Sequence, residues 1–189
     1  MNTSKRKSSF KKMIPGLLIG QVIAVIISLM VTSVLGAFFE NRADWLIMII
    51  SIGFFLFFAY HEGWIAGSSD ANLIKFDRIK RSPWKGALAG ALASVPGFLI
   101  ALAAFLAAVV PFHTVTFLGQ ELLEYIYRFW YMPFSFLFPA IPQIPALRFL
   151  PVIFMPIACC VGYWLGLKQI SLREKVVYEK DRDKTSSGT

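Results

Sequence analysis

Four long apolar runs, separated by charged segments, restrict the fold of this chain more than any other feature. Residues 13–39, 86–112 and 149–167 contain no Asp, Glu, Lys or Arg, and residues 45–66 contain only Glu62. About 20 consecutive apolar residues are needed to cross the hydrocarbon core of a bilayer. The runs therefore predict an all-α integral membrane protein with four transmembrane helices.

Composition argues against other classes of protein. Hydrophobic residues make up 57% of the 189 residues, above the ~45–50% that is usual for soluble domains. The first run is much longer than the roughly 7–15 apolar residues of a signal peptide, so we interpret it as a span. The net charge of +8 does not indicate nucleic acid, because the basic residues flank the apolar runs. The adjacent Cys159 and Cys160 provide no disulfide framework.

The distribution of basic residues orients the spans. Lys and Arg number five in residues 1–12, five in residues 67–85 and six from Lys168 onward, and three remain for the other side: Arg42, Arg128 and Arg148. Cytoplasmic loops carry an excess of Lys and Arg, so both termini are predicted to be cytoplasmic in the cell membrane. The resulting division is a basic amino terminus, a four-helix transmembrane domain and a charged tail, at residues 1–12, 13–168 and 169–189.

The connections are expected to contain two further helices. In residues 67–85, Ser68 or Ser69 can cap a short basic amphipathic helix, which would rest on anionic lipid at the cytoplasmic face. Residues 117–131 predict an extracytoplasmic interfacial helix in which Glu124 pairs with Arg128 four residues later. The proline- and aromatic-rich segment that follows is expected to be irregular, at membrane depth or just outside it.

Small residues recur at four-residue spacing in three of the runs. Such stripes let helix backbones approach closely in lipid, where apolar burial gives no drive for association. The pattern predicts a tightly packed bundle, with contacts inside one chain favoured over contacts between chains. The predicted packing positions are Gly16 and Gly20 in the first run, Gly86, Gly90 and Ser94 in the third, and Gly162 and Gly166 in the last.

Five polar residues near or within the runs are candidates for a site. Gln21 is more typical of an interhelical hydrogen bond than of a substrate contact. His61 and Glu62 stand near an interface and lack the HExxH spacing of a zinc site, so a structural role is favoured over a metal or proton relay. Asp70 and Asn72 could bind a cation or a partner, but a helix stop followed by a capped helix explains them as well.

The sequence contains no phosphate-binding loop, no Ser/His/Asp set and no paired intramembrane carboxylates. We therefore expect no enzyme, no cofactor, no catalytic residue and no metal site. The favoured interpretation is a membrane subunit or accessory protein that packs against a membrane protein partner or against itself. The alternative is a small solute or ion transporter or channel, which the prolines of the last two spans and the irregular outer segment would suit.

Overall fold

A computed structural model of the protein describes residues 10–39, 44–76, 79–80, 82–109 and 117–169. Within these ranges the chain is helical and contains no strand. Its five α-helices are α1 (Phe10–Phe39), α2 (Asp44–Lys75), α3 (Lys85–Val109), α4 (Phe117–Trp130) and α5 (Leu150–Leu167). Two short 3-10 helices, Met132–Leu137 and Pro145–Phe149, lie between α4 and α5.

Four of these helical stretches are long and apolar enough to cross a membrane. They cover Lys12–Phe38, Trp45–Lys75, Lys85–Val109 and Pro145–Leu167. The prediction of an all-helical chain with four such helices is confirmed. In the last stretch the 3-10 helix adds length to α5, whose 18 residues would span only about 27 Å by themselves. Pro151 stands in the first turn of α5, where its missing N–H would have no partner in any case.

The helix predicted to begin after Ser68 is not a separate element. Helix α2 continues unbroken to Lys75, and the Ser68 hydroxyl donates to the carbonyl of Ile65 at 3.0 Å within the same helix. The described residues that follow, 79–80 and 82–84, are not helical. No proline occurs in this part of the chain before Pro83, so nothing in the backbone ends α2 where the apolar run ends.

Helix α4 agrees with the helix predicted over residues 117–131. It contains the predicted ion pair, with Arg128 Nε 3.1 Å from Glu124 Oε1. The amide of Gln120 donates to the carbonyl of Ala107 near the end of α3. Ten residues further along α4, Trp130 lies beside Gly97, the midpoint of α3. Helix α4 therefore runs back along the second half of α3 to the middle of that helix.

Helix α5 packs against the first half of α3 and lies between α3 and α2. Gly86 and Gly90 of α3 contact Tyr163 and Pro156 of α5. At its start, the ring of Phe149 lies 5.8 Å from Phe98 and 5.4 Å from Phe105. The segment from α4 to Phe149 thus fills the space beside the second half of α3 that α5 does not reach.

Candidate functional site

The predicted small-residue positions pack against neighbours in the same chain. A Cβ on Gly90 would lie 2.6 Å from Pro156 Cα, and one on Gly20 would lie 3.2 Å from Phe58 Cβ. Gly16 lies beneath the side chain of Glu62, and Gly86 faces Tyr163. Ser94 is buried and donates to the carbonyl of Gly90 at 2.8 Å.

The tightest contact, between α2 and α5, has glycines on both helices. Gly162 and Gly166 of α5 face the backbone carbonyls of Tyr60 and Trp64. Gly63 and Gly67 of α2 face the carbonyls of Cys159 and Tyr163 in return. Gly63 and Gly67 were not predicted as packing positions, because glycines at the end of an apolar run also indicate a helix stop.

The centre of the bundle is where Gln21 meets the end of α4. Gln21 is 3% exposed and its amide donates to the carbonyl of Trp130 at 2.9 Å. This contact is the interhelical hydrogen bond that we favoured for Gln21. A cavity of about 10 Å³ lies beside it, lined by residues that include Gln21, Ser94, Gly97, Trp130, Tyr131 and Met155. That volume is at the lower limit for one water molecule.

A buried carboxylate lies at the end of the bundle where α2 ends and α3 begins. Asp70 is fully buried; it accepts a hydrogen bond from Tyr163 Oη at 2.8 Å, and Lys85 Nζ lies 3.1 Å from the same oxygen. Three helices therefore meet at one side chain. Asn72, two residues further, is exposed and accepts from Gln169 at 3.0 Å.

The structure does not bring the predicted polar residues into one site. His61 is exposed and stacks on Phe57 with ring centroids 5.8 Å apart, whereas Glu62 points to Gly16 of α1. Asp70 faces α3 and α5 instead. Among the described residues, no three His, Cys, Asp or Glu side chains are grouped so as to hold a metal ion.

Another polar cluster lies where α4 approaches the start of α5, and one of its members, Arg148, was not predicted from the sequence. Glu124 accepts from Arg128 and also from Arg148 Nη2, at 2.9 Å. Hydrogen bonds and opposite charges from both arginines favour the charged form of this carboxylate. The charge distribution predicts Arg148 in an outer connection, and no local pattern links it to a glutamate 24 residues away.

The three polar contacts at Gln21, Asp70 and Glu124 each join different helical elements. In the contact at Glu124, the charge of Arg148 is only partly paired. The central amide contact joins α1 to the end of α4, and the Asp70 contact joins α2, α3 and α5. Glu124, Arg128 and Arg148 tie α4 to the residues before α5. The chain matches no protein-family model, no curated protein and no solved structure in comparisons with known proteins.

Proposed function

We propose that this chain is an integral membrane protein without catalytic activity, acting as a subunit or accessory protein of a membrane assembly. The observation that supports this most is the filled centre of the bundle. Ligand sites are usually cavities of about 300–1,000 Å³, whereas the space beside Gln21 is about 10 Å³. Trp130 and Tyr131 fill the middle of the bundle, where they lie against Gly97 at the midpoint of α3.

In this proposal, partner contacts use the outward sides of the helices. The glycine stripes are already engaged inside the chain, so they do not provide a docking face. Large apolar side chains are exposed along α1 and α3, among them Ile26, Met30, Leu92 and Leu99. These sides would face either lipid or the helices of a partner or of a second copy.

Purification from native membranes in a mild detergent tests the proposal. We expect a stoichiometric membrane-protein partner, or a homo-oligomer, to remain with the chain through size exclusion. A photocrosslinker at Met30 or Leu99 should then give a specific adduct, whereas one at Ala101, which is fully buried, should not. A monodisperse monomer with no specific adduct would contradict the proposal.

A small solute or ion transporter or channel is the second candidate, and the segment between α4 and α5 favours it. Non-α-helical backbone at membrane depth is tolerated only where it is buried in protein or lines water. Here Pro133, Phe134, Leu137 and Ile141 are buried, but Phe136, Pro139 and residues 142–144 are exposed, so protein covers only part of this backbone. Because the centre of the bundle is filled, we expect purified chain in planar bilayers and proteoliposomes to give no conductance and no solute flux; either would reverse the ranking.

The proposed orientation places both termini, and the connection between α2 and α3, in the cytoplasm, on the basis of the positive-inside distribution. In a background lacking Cys159 and Cys160, single cysteines at Ser8, Ser82 and Ser187 should react with an impermeant maleimide only after permeabilisation. A cysteine at Thr116 should react in intact cells. Of these four positions only Ser82 lies within the described residues. Labelling of Ser187 in intact cells would rule out an even number of spans with this orientation.

A further inference from the structure

Arg148 is a buried cation with only part of its hydrogen-bonding capacity used. Its side chain is 7% exposed, and Nη2 donates to Glu124. The Nε and Nη1 atoms are fully buried and have no hydrogen-bond partner among the described residues. Buried polar groups are nearly always paired, and an unpaired charged donor is costly. The ring of Tyr127, whose centroid is 6.0 Å from the guanidinium, lies at the outer limit of a cation–π contact.

The cluster around Arg148 carries excess positive charge. Glu124 is the shared carboxylate, with Arg128 on its exposed side and Arg148 on its buried side; the two arginine side chains are 47% and 7% exposed. Arg128, Arg148 and Glu124 together have a net charge of +1, and the exposed Glu121 lies one turn before Glu124 on the same helix. Both carboxylate oxygens already accept a hydrogen bond, so Glu124 is engaged while Arg148 keeps unpartnered N–H groups.

Apolar surroundings make the net positive charge of the cluster energetically unfavourable. Helix α4 follows the second half of α3, and the neighbouring Phe149 packs on Phe98 and Phe105. With the connection between α2 and α3 in the cytoplasm, as proposed, the second half of α3 lies in the outer half of the bilayer and the cluster lies beside it. Ionisable groups at such depth are costly and usually functional.

We propose that Arg128 and Arg148 form a binding site for a phosphate-type oxyanion, carried either by an anionic lipid headgroup or by free phosphate. Guanidinium groups match phosphate oxygens in geometry and charge, and one monoanion would neutralise the cluster. Arg128 forms the entrance. It is held by Glu124 and lies over the ring of Phe138, 5.7 Å from its centroid, and it is exposed enough to turn aside and admit the anion to Arg148.

The face of α4 beside this entrance suits lipid. Leu122, Tyr125, Ile126 and Phe129 are apolar or aromatic and exposed, and their spacing puts them on one side of the helix. In the proposed placement this side would contact acyl chains, with the headgroup phosphate near Arg128. The lipid source rests on that placement, whereas binding of free phosphate does not require it.

Ligand-dependent unfolding and native mass spectrometry of the full chain in neutral detergent test this site. The ligands are phosphatidylglycerol, zwitterionic phosphatidylcholine and inorganic phosphate, with chloride at equal ionic strength as a reference. We expect phosphatidylglycerol or phosphate to bind and to raise the melting temperature. R128Q should weaken that binding by at least about ten-fold, because it removes a charged hydrogen-bond donor to the anion. K12Q is the matched control because it removes one exposed cation outside the cluster and outside the basic connection between α2 and α3.

The outcomes separate the possible sources of the anion. Stabilisation by phosphatidylglycerol alone assigns the site to a lipid headgroup, and stabilisation by phosphate alone assigns it to a free anion. R148K retains the charge but loses the forked donor, so it should bind more weakly than wild type and fold better than R148Q. If neither ligand exceeds phosphatidylcholine and chloride, or if R128Q and R148K both bind like K12Q, the site does not exist. The cysteine-labelling experiment tests membrane placement independently.

Discussion

Gly67→Ala should destabilise this protein, although alanine is the better helix former. The added Cβ would meet the backbone carbonyl of Tyr163 and lie 3.0 Å from the amide nitrogen of Leu167. Backbone atoms cannot turn aside as a flexible side chain can, so α2 and α5 must move apart. Overpacking of this kind typically costs about 1–3 kcal/mol. For a chain of this size that corresponds to a fall in melting temperature of about 2–12 °C.

Gly53→Ala is the matched control for that prediction. Gly53 belongs to the same helix, and nothing lies within 4 Å of a Cβ built there. Alanine in an open helical position gains about 0.5–1 kcal/mol over glycine. The two variants should therefore shift the melting temperature in detergent in opposite directions. Equal shifts would show that the close approach of α2 and α5 does not hold the bundle together.

The pair of variants also marks where sequence reasoning succeeded and where it did not. Apolar runs predicted the four long helices, because the length of a run alone decides whether it can span a bilayer. Glycine is ambiguous by comparison: it ends helices and also permits close packing. At Gly67 the partner helix decides between these two roles, and that helix lies almost 100 residues away in sequence.

Asp70 illustrates the same limit for a charged residue. In the sequence it follows the end of an apolar run and predicts a capped turn, because carboxylates are rarely buried. Its burial depends on Lys85 and on Tyr163, which is 93 residues away. Only Lys85 is near in sequence, and a lysine beside an apolar run indicates only a cytoplasmic connection. Arg148 was missed for a similar reason, since its partner Glu124 belongs to a different element.

Replacing Lys85 should therefore cost more than replacing the acid to which it is paired. Lys85→Met removes the lysine that lies 3.1 Å from a fully buried carboxylate oxygen, and breaking a buried ion pair by removing one partner typically costs about 3–5 kcal/mol. Asp70→Asn leaves Lys85 unpaired instead, but the lysine side chain is 24% exposed and can take up water. The amide oxygen of the new asparagine can still accept from Tyr163. We expect the melting temperature of D70N to be well above that of K85M.

The double variant D70N/K85M separates the charge effect from lost packing. It removes both charges of this ion pair, so it should be more stable than K85M although it carries one more substitution. Lys80→Met is the control, because it removes an exposed lysine from the same connection and should change the melting temperature little. The four proteins would be compared by thermal unfolding in one detergent at neutral pH. If K85M and K80M have the same melting temperature, or if adding D70N lowers the melting temperature of K85M further, the ion pair between Asp70 and Lys85 does not hold α2, α3 and α5 together. Other contacts, glycine packing among them, would then stabilise this end of the bundle.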